Sequence, residues 1–154
     1  MAFLYGDYNQ STRRPILRND ESRLRPFTQG DSTTMPTLIQ APKIIEAAGI
    51  VPERIEEYVG RVNTETEHIS VARIISPIGW QEPGQRPDFQ EISVVISGCL
   101  KVEHETGVIE VKAGQAIIEF PGEWVRHSAP YAGGVDYFAI CLPAFSPENV
   151  RRDE

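Results

Sequence analysis

The hydrophobic pattern changes period along this chain. Over residues 1–36 apolar side chains are sparse and unperiodic, limited to points such as Phe3, Tyr8, Ile16, Leu24 and Phe27 among Arg, Asn, Asp, Gln, Ser and Thr. That pattern predicts a loop-like arm, anchored on its own domain or on a neighbouring subunit. Residues 42–48 follow with Pro42 in a first-turn position and Gly49 as a left-handed stop, which predicts one short helix. From Glu57 the period becomes two. Residues 57–63 and 68–76 predict strands connected by residues 64–67, and in the second strand Ile69, Val71, Arg73 and Ile75 alternate with Ser70, Ala72 and Ile74.

Residues 79–88 contain Pro83, Gly84 and Pro87 and predict a loop that cannot donate a full ladder of hydrogen bonds. Short strands are then predicted over residues 90–97, 99–104, 108–112, 115–120, 124–128 and 135–142, with glycine turns at Gly107, Gly114 and Gly122. Ser146 and Pro147 resemble a cap and a first helical position, predicting one helical turn over residues 146–149. Many short strands with almost no helix predict an all-β barrel or sandwich. A chain of 154 residues suits one such domain, here residues 37–154 behind the arm.

Charge narrows the partners. The formal net charge of −7 argues against a sequence-independent nucleic-acid surface, which needs clustered Lys and Arg. Arg13, Arg14, Arg18, Arg23 and Arg25 are interspersed with Asp20, Glu21 and Asp31, as in a solvated arm or an ion-paired subunit contact. No apolar run approaches the ~18 residues that cross a bilayer, so no membrane partner is expected. Cys99 and Cys141 form neither a CxxC pair nor a zinc-finger array, and two buried thiols in a reducing, cytoplasmic setting are expected. The arm and the uncovered barrel edges predict a homodimer.

The strands and turns from about residue 54 to 145 carry a family pattern. Glu91 and Gly98 have the spacing that ends the first motif of the cupins, small jelly-roll β-barrels, and Gly114 and Gly122 keep the glycine spacing of the second. Residues 99–113 have the length of the usual hairpin between the motifs. The chain therefore resembles a cupin, and its lack of motif histidines makes it similar to the ethanolamine-utilisation cupins.

The resemblance implies a single barrel with a polar site inside, but the ligand positions depart from the pattern. Depending on the register of the first motif, its two metal histidines fall on Gln85 and Pro87 or on Gly84 and Arg86. In the second motif Val125 stands where the third histidine belongs, and Phe120 replaces the proline. Glu91 alone remains of four ligands, too few to hold a first-row metal against water. No cofactor is expected; a non-standard divalent metal stays open through Gln85, Glu91 and His127, since His127 follows Val125 by two residues and shares its strand face.

Glu91 inside an apolar barrel has its ionised form disfavoured, which suits proton transfer near neutral pH. The plain alternative is a structural glutamate satisfied by Arg73 or a backbone amide. His127 is the one histidine that the motif places inside, a general-base candidate or an ordinary hydrogen-bonded histidine; His68 and His104 read as surface residues. Gln85 would orient a polar substrate at the cavity mouth or be solvated. Arg61, Asn63 and Arg73 are candidates for holding a substrate carboxylate, and Trp124, with Trp80, for the rim. Tyr137 shares a parity with Ala139 and Cys141, and either face of that strand could point inward. Cys141 reads as a buried, inert thiol.

The resulting expectation is a small-molecule enzyme of lyase, isomerase or dehydratase type, with Glu91 and His127 exchanging protons. A non-catalytic binding cupin or sensor is the alternative. A metal-dependent dioxygenase with altered ligands ranks third.

Overall fold

The computed structural model describes residues 36–47 and 51–153. Residues 1–35, including nearly all of the expected arm, lie outside the described residues, as does Gly49. The fold below is that of the unit beginning at Leu38.

Nine strands follow in order: β1 Lys43–Ile45, β2 Arg54–Val59, β3 Ser70–Ser76, β4 Trp80–Gln81, β5 Gln90–His104, β6 Gly107–Lys112, β7 Ala116–Glu119, β8 Val125–Ala129 and β9 Val135–Leu142. Every pairing is antiparallel. The lateral order is β1-β2-β3-β9-β5-β8-β4, with β6 and β7 also paired to β5. Among the described residues there is no helix, and none long and apolar enough to cross a membrane.

β5 is the strand that joins the two sheets. Its first part, through Gly98, pairs with β7 and β9; its second, from Cys99, pairs with β6 and β8. The sequence pattern predicts two strands here, and the structure has one strand of 15 residues that changes partners at Gly98. A register shift between Val95 and Ser97 precedes the change, and Gly98 adopts a φ of 79°. Bulges and positive-φ glycines turn a strand from one sheet into another. The inward residues of both parts meet in one core, including Val95, Leu100, Val102, Val125, Val135 and Tyr137.

Three local expectations are corrected. The helix expected over residues 42–48 is replaced by β1, whose Ile44 and Ile45 pair with Glu56 and Ile55. A neighbouring strand offers those β-branched residues a ladder that outweighs a short helix's local preference. The strand expected over residues 57–63 ends at Val59, because buried Glu57 accepts hydrogen bonds from the backbone N–H groups of Val62 and Asn63, each at 2.8 Å, and folds them into a turn. The helical turn expected over residues 146–149 is a single turn, closed by Asn149 N–H donating to Ser146 O at 3.2 Å and Ser146 N–H to Asn149 Oδ1 at 2.8 Å.

A Cβ on residue 98 would collide with the Gly134 carbonyl oxygen and would sit at a backbone angle that L-residues avoid. Gly98→Ala is therefore expected to lower stability by roughly 2–4 kcal/mol, combining positive-φ strain with overpacking. Chemical denaturation measures it, and an unchanged midpoint would show that the turn between sheets tolerates a side chain.

Candidate functional site

A cavity of about 90 Å³ lies between the inner faces of β2, β3, β5, β8 and β9, large enough for a small organic molecule. Alternation along each strand supplies its walls. β5 contributes Glu91, β8 contributes His127, β9 contributes Tyr137, Ala139 and Cys141, and β3 contributes Ser70, Ala72 and Ile74. The open parity of β9 is thereby resolved, with Tyr137 inward. Trp80, Phe89 and Phe145 complete the apolar wall.

His127 is held between two carboxylates. Its Nδ1 is 3.1 Å from Glu82 Oε1 and its Nε2 is 2.7 Å from Glu119 Oε1, with all three side chains almost wholly buried. Burial alone would push the imidazole towards neutrality, but the charges and hydrogen bonds of Glu119 and Glu82 outweigh it and raise the pKa well above 6.5. These neighbours favour the imidazolium form of His127, with Nε2 hydrogen-bonded to Glu119 and Nδ1 in ion-pair range of Glu82, which suits it better to be an acid than the base expected from the sequence.

Glu91 shows the opposite tendency. Burial lifts its pKa from 4.5 to about 7; Glu119 and Glu82 push the same way, against the opposing pull of His127 and the Ser93 hydrogen bond. Ser93 Oγ donates to Glu91 Oε1 at 3.0 Å, and Cys141 Sγ lies 3.9 Å from Oε2. Glu91 and Glu119 are cross-strand partners on β5 and β7. Like charges directly opposite each other destabilise a sheet, so this pair has a cost that packing alone does not explain. Glu53, at another wall, is raised from 4.5 to about 7, mainly by burial, and accepts from Ser76 Oγ at 3.0 Å. The Tyr137 hydroxyl is pushed well above 10 and the Cys141 thiol well above 9, burial leading in both, so both stay protonated.

Gln85 lines the cavity but is not solvated at its mouth. It is 3% exposed, its backbone forms a two-way bridge with Val125, and its Oε1 has no hydrogen-bond partner among the described residues. The other binding candidates are elsewhere. Arg61 pairs with Glu67 at 3.1 Å, and Asn63 Nδ2 donates to Ala41 O and Tyr58 O at 3.1 and 2.9 Å. Arg73 forms a two-pronged pair with Asp136 at 2.9 and 2.6 Å. Trp124 donates to Asp153 at 2.9 Å and lines a separate groove with His104 and Phe120. None of these four lines the cavity. Cys99, expected to be buried, is only partly covered.

Sequence reasoning missed Glu53, Glu82 and Glu119. Glu119 carried a signal, being the lone carboxylate in the apolar run from Ala116 to Phe120; Glu53 and Glu82 lie outside any periodic segment.

The resemblance to cupins raises the question of a metal at this site. Glu91, Glu119 and His127 each present a ligating atom within 4.8 Å of one another, a donor set of two carboxylates and an imidazole. As arranged, His127 Nε2 is 2.7 Å from Glu119 and Nδ1 is 3.1 Å from Glu82, so a cation would have to displace a proton and the Glu119 contact to bind there.

The shifts have a consequence for stability. Glu53 and Glu91 hold protons in the fold up to about pH 7 that the unfolded chain releases near 4.5, so their contribution is full below 4.5 and lost as pH rises through about 7. His127 acts in the same direction, its contribution present below 6.5 and lost as pH rises through its higher folded value. Glu82, Glu119 and Arg152 are the other charged groups facing them. Denaturant stability should therefore fall by a few kcal/mol between about pH 5 and about pH 8. A rise over that range would show that the buried carboxyls are ionised.

No protein-family profile matches the sequence. A curated relative, the endoribonuclease YbeY of Myxococcus xanthus, is 41% identical over 96 residues, 62% of this chain but 33% of that protein. The chain thus spans about a third of the length of this relative. Among solved structures, EutQ of Clostridium difficile matches with a TM-score of 0.52 at 14% identity, over 61% of this chain and 64% of that one. A Streptomyces Pac13 structure with uridine matches with a TM-score of 0.61 at 14% identity, over 80% and 93% of the two chains. A predicted oxalate decarboxylase of Thermotoga maritima matches at 0.59 and 12% identity, over 71% and 99%. The nine antiparallel strands, the strand that passes between two sheets and these structural likenesses agree: this chain has the cupin type of β-barrel fold.

Proposed function

We propose that this chain is a small-molecule enzyme of the lyase or dehydratase type, working by acid/base catalysis in the barrel cavity. One observation carries the proposal: a buried carboxyl group, Glu91, and a buried imidazole, His127, line one cavity, the imidazole flanked by Glu82 and Glu119 and the carboxyl not, with burial raising the pKa of Glu91 and the flanking carboxylates raising that of His127. Environments that separate an acid from a base in this way are how a site runs both halves of an elimination at neutral pH. Ionised Glu91 takes a proton from carbon, and His127 Nδ1–H or Nε2–H protonates the departing hydroxyl. The C–H and C–O bonds break, a C=C bond forms, and water leaves. Glu82 and Glu119 keep His127 charged between turnovers, and Gln85 Oε1 accepts from the substrate.

Pac13, similar in fold, is described as a nucleoside dehydratase, which supports the class of reaction. Phosphodiester cleavage is disfavoured. The relative named for it extends well beyond the matched 96 residues, and a polyanionic substrate would meet an acidic cavity in a chain of net charge −7. Exposed Ile96, Ile118 and Leu142 around the β5–β7–β9 part of the sheet support a second copy as the macromolecular partner. The composition supports a cytoplasmic setting.

Once a substrate is identified by NMR screening of hydroxylated metabolites for loss of water, Glu91→Gln should lower kcat by about 10²–10⁴ with KM within a few fold. His127→Asn should do the same while the melting transition stays cooperative. Normal turnover by either variant would sink the assignment. Because no step needs a metal, exhaustive dialysis against EDTA should leave kcat unchanged, and a loss restored by a divalent cation would reverse that part of the proposal.

A further inference from the structure

The cavity wall is unusual in two independent respects. Four acidic side chains, Glu53, Glu57, Glu82 and Glu91, line it against His127 and the exposed Arg152, and a bound cation would draw Glu53 and Glu91, raised to about 7, into their ionised form. Four aromatic side chains, Trp80, Phe89, Tyr137 and Phe145, line it as well. Carboxylates attract a cation strongly where water is scarce, and aromatic faces stabilise one through their quadrupoles. A carboxylate or phosphate on the ligand would instead meet a like-charged wall.

Two polar atoms sharpen the description. Among the described residues Gln85 Oε1 is a buried acceptor without a donor, and Trp80 Nε1 is a buried donor without an acceptor. Both residues line the same cavity and are nearly inaccessible, at 3% and 2% exposure. Buried groups of this kind are ordinarily satisfied, so their partners are expected from whatever occupies the cavity. The acceptor asks for an N–H or O–H donor and the indole for an oxygen.

We propose that the ligand is a small protonated amine that also carries a hydroxyl or carbonyl oxygen, its ammonium held among the carboxylates and Gln85 and its oxygen accepting from Trp80 Nε1. This deepens the acid/base function proposed above and rests on that reading for its role as substrate. The ammonium positions the molecule, while the reacting carbon faces Glu91 and His127.

A matched set of probes tests the charge directly: 4-amino-1-butanol, 1,4-butanediol and 4-hydroxybutyrate share a carbon chain and a hydroxyl and differ at the other end. Each is titrated at constant ionic strength into the full ¹⁵N-labelled chain near neutral pH. The Trp80 indole signal is followed, distinguished from that of Trp124 by Trp124→Phe. The amino alcohol should shift it saturably and bind at least about tenfold more tightly than the diol, while the hydroxy acid leaves it unmoved. Glu53→Gln, which can still accept from Ser76 and lies outside the proton-transfer pair, should weaken the amino alcohol at least about fivefold without changing the diol.

Equal affinity of the amine and the diol, tighter binding of the hydroxy acid, or no saturable shift with the amine would each overturn the inference. Such a failure is separable from failure of the enzymatic reading. Saturable amine binding with normal turnover in Glu91→Gln would leave the ligand class standing and remove the catalytic assignment. Loss of turnover in Glu91→Gln and His127→Asn with no preference for the amine would do the reverse.

Discussion

β5 is the constraint on which the rest of this fold depends, because one strand is hydrogen-bonded to four others and belongs to both sheets. The inward parity of its 15 residues switches once, so Glu91, Ser93 and Val95 face the interior in one sheet and, after the register shift, Leu100 and Val102 do so in the other. The Val95/Ser97 register shift and Gly98 absorb the change of direction. Without them the second half of the strand could not carry its apolar residues back over the core that the first half begins. Placing a carboxylate near the start of such a strand therefore places it in the cavity wall, next to residues from β7 and β9 that have no sequence proximity to it.

That placement creates an electrostatic problem whose solution is the site. Glu91 and Glu119 face each other across adjacent strands, and Glu82 approaches from the segment after β4. Three carboxylates in a nearly dry space cannot all ionise without a counter-charge. His127 supplies it, its Nε2 hydrogen-bonded to Glu119 and its Nδ1 within 3.1 Å of Glu82. Glu91 has no such bond to the imidazole and takes the protonatable role, lifted to about 7. The opposite pKa tendencies of Glu91 and His127 thus follow from which carboxylates reach the ring, not from the residue types alone.

Much of the architecture was legible in the alternation of apolar residues. The strand over residues 135–142 was expected with the bounds it has, and the inward parity of Glu91 with Ser93 and Val95 was readable from period two. What failed was local structure decided by distant partners. Residues 42–48 have a helix-compatible sequence, and only the neighbouring β2 makes Lys43–Ile45 a strand. Residues 60–63 look like a continuing strand, and only the buried Glu57 carboxylate curls them back. The site was half legible for the same reason. Glu91, His127, Gln85 and Tyr137 lie on periodic segments or motif positions and do converge, whereas Glu53 and Glu82 enter from irregular segments that no period marks. Arg61, Asn63 and Arg73 were plausible anion holders by chemistry, but each is satisfied by protein partners away from the cavity.

A barrel without the motif histidines offers a different chemistry from one that has them. A metal site stabilises developing negative charge as a Lewis acid and asks its histidines to be neutral. Here the remaining histidine is held positive by two carboxylates, and a third carboxylate is kept near half-protonation by burial. A site so built has both a proton to give and a place to receive one, while its surplus of carboxylates opposes any ligand that brings a negative charge of its own. The cross-strand Glu91–Glu119 pair costs stability that two apolar residues would not. Such a cost at the centre of a core has no counterpart in a barrel filled only for packing.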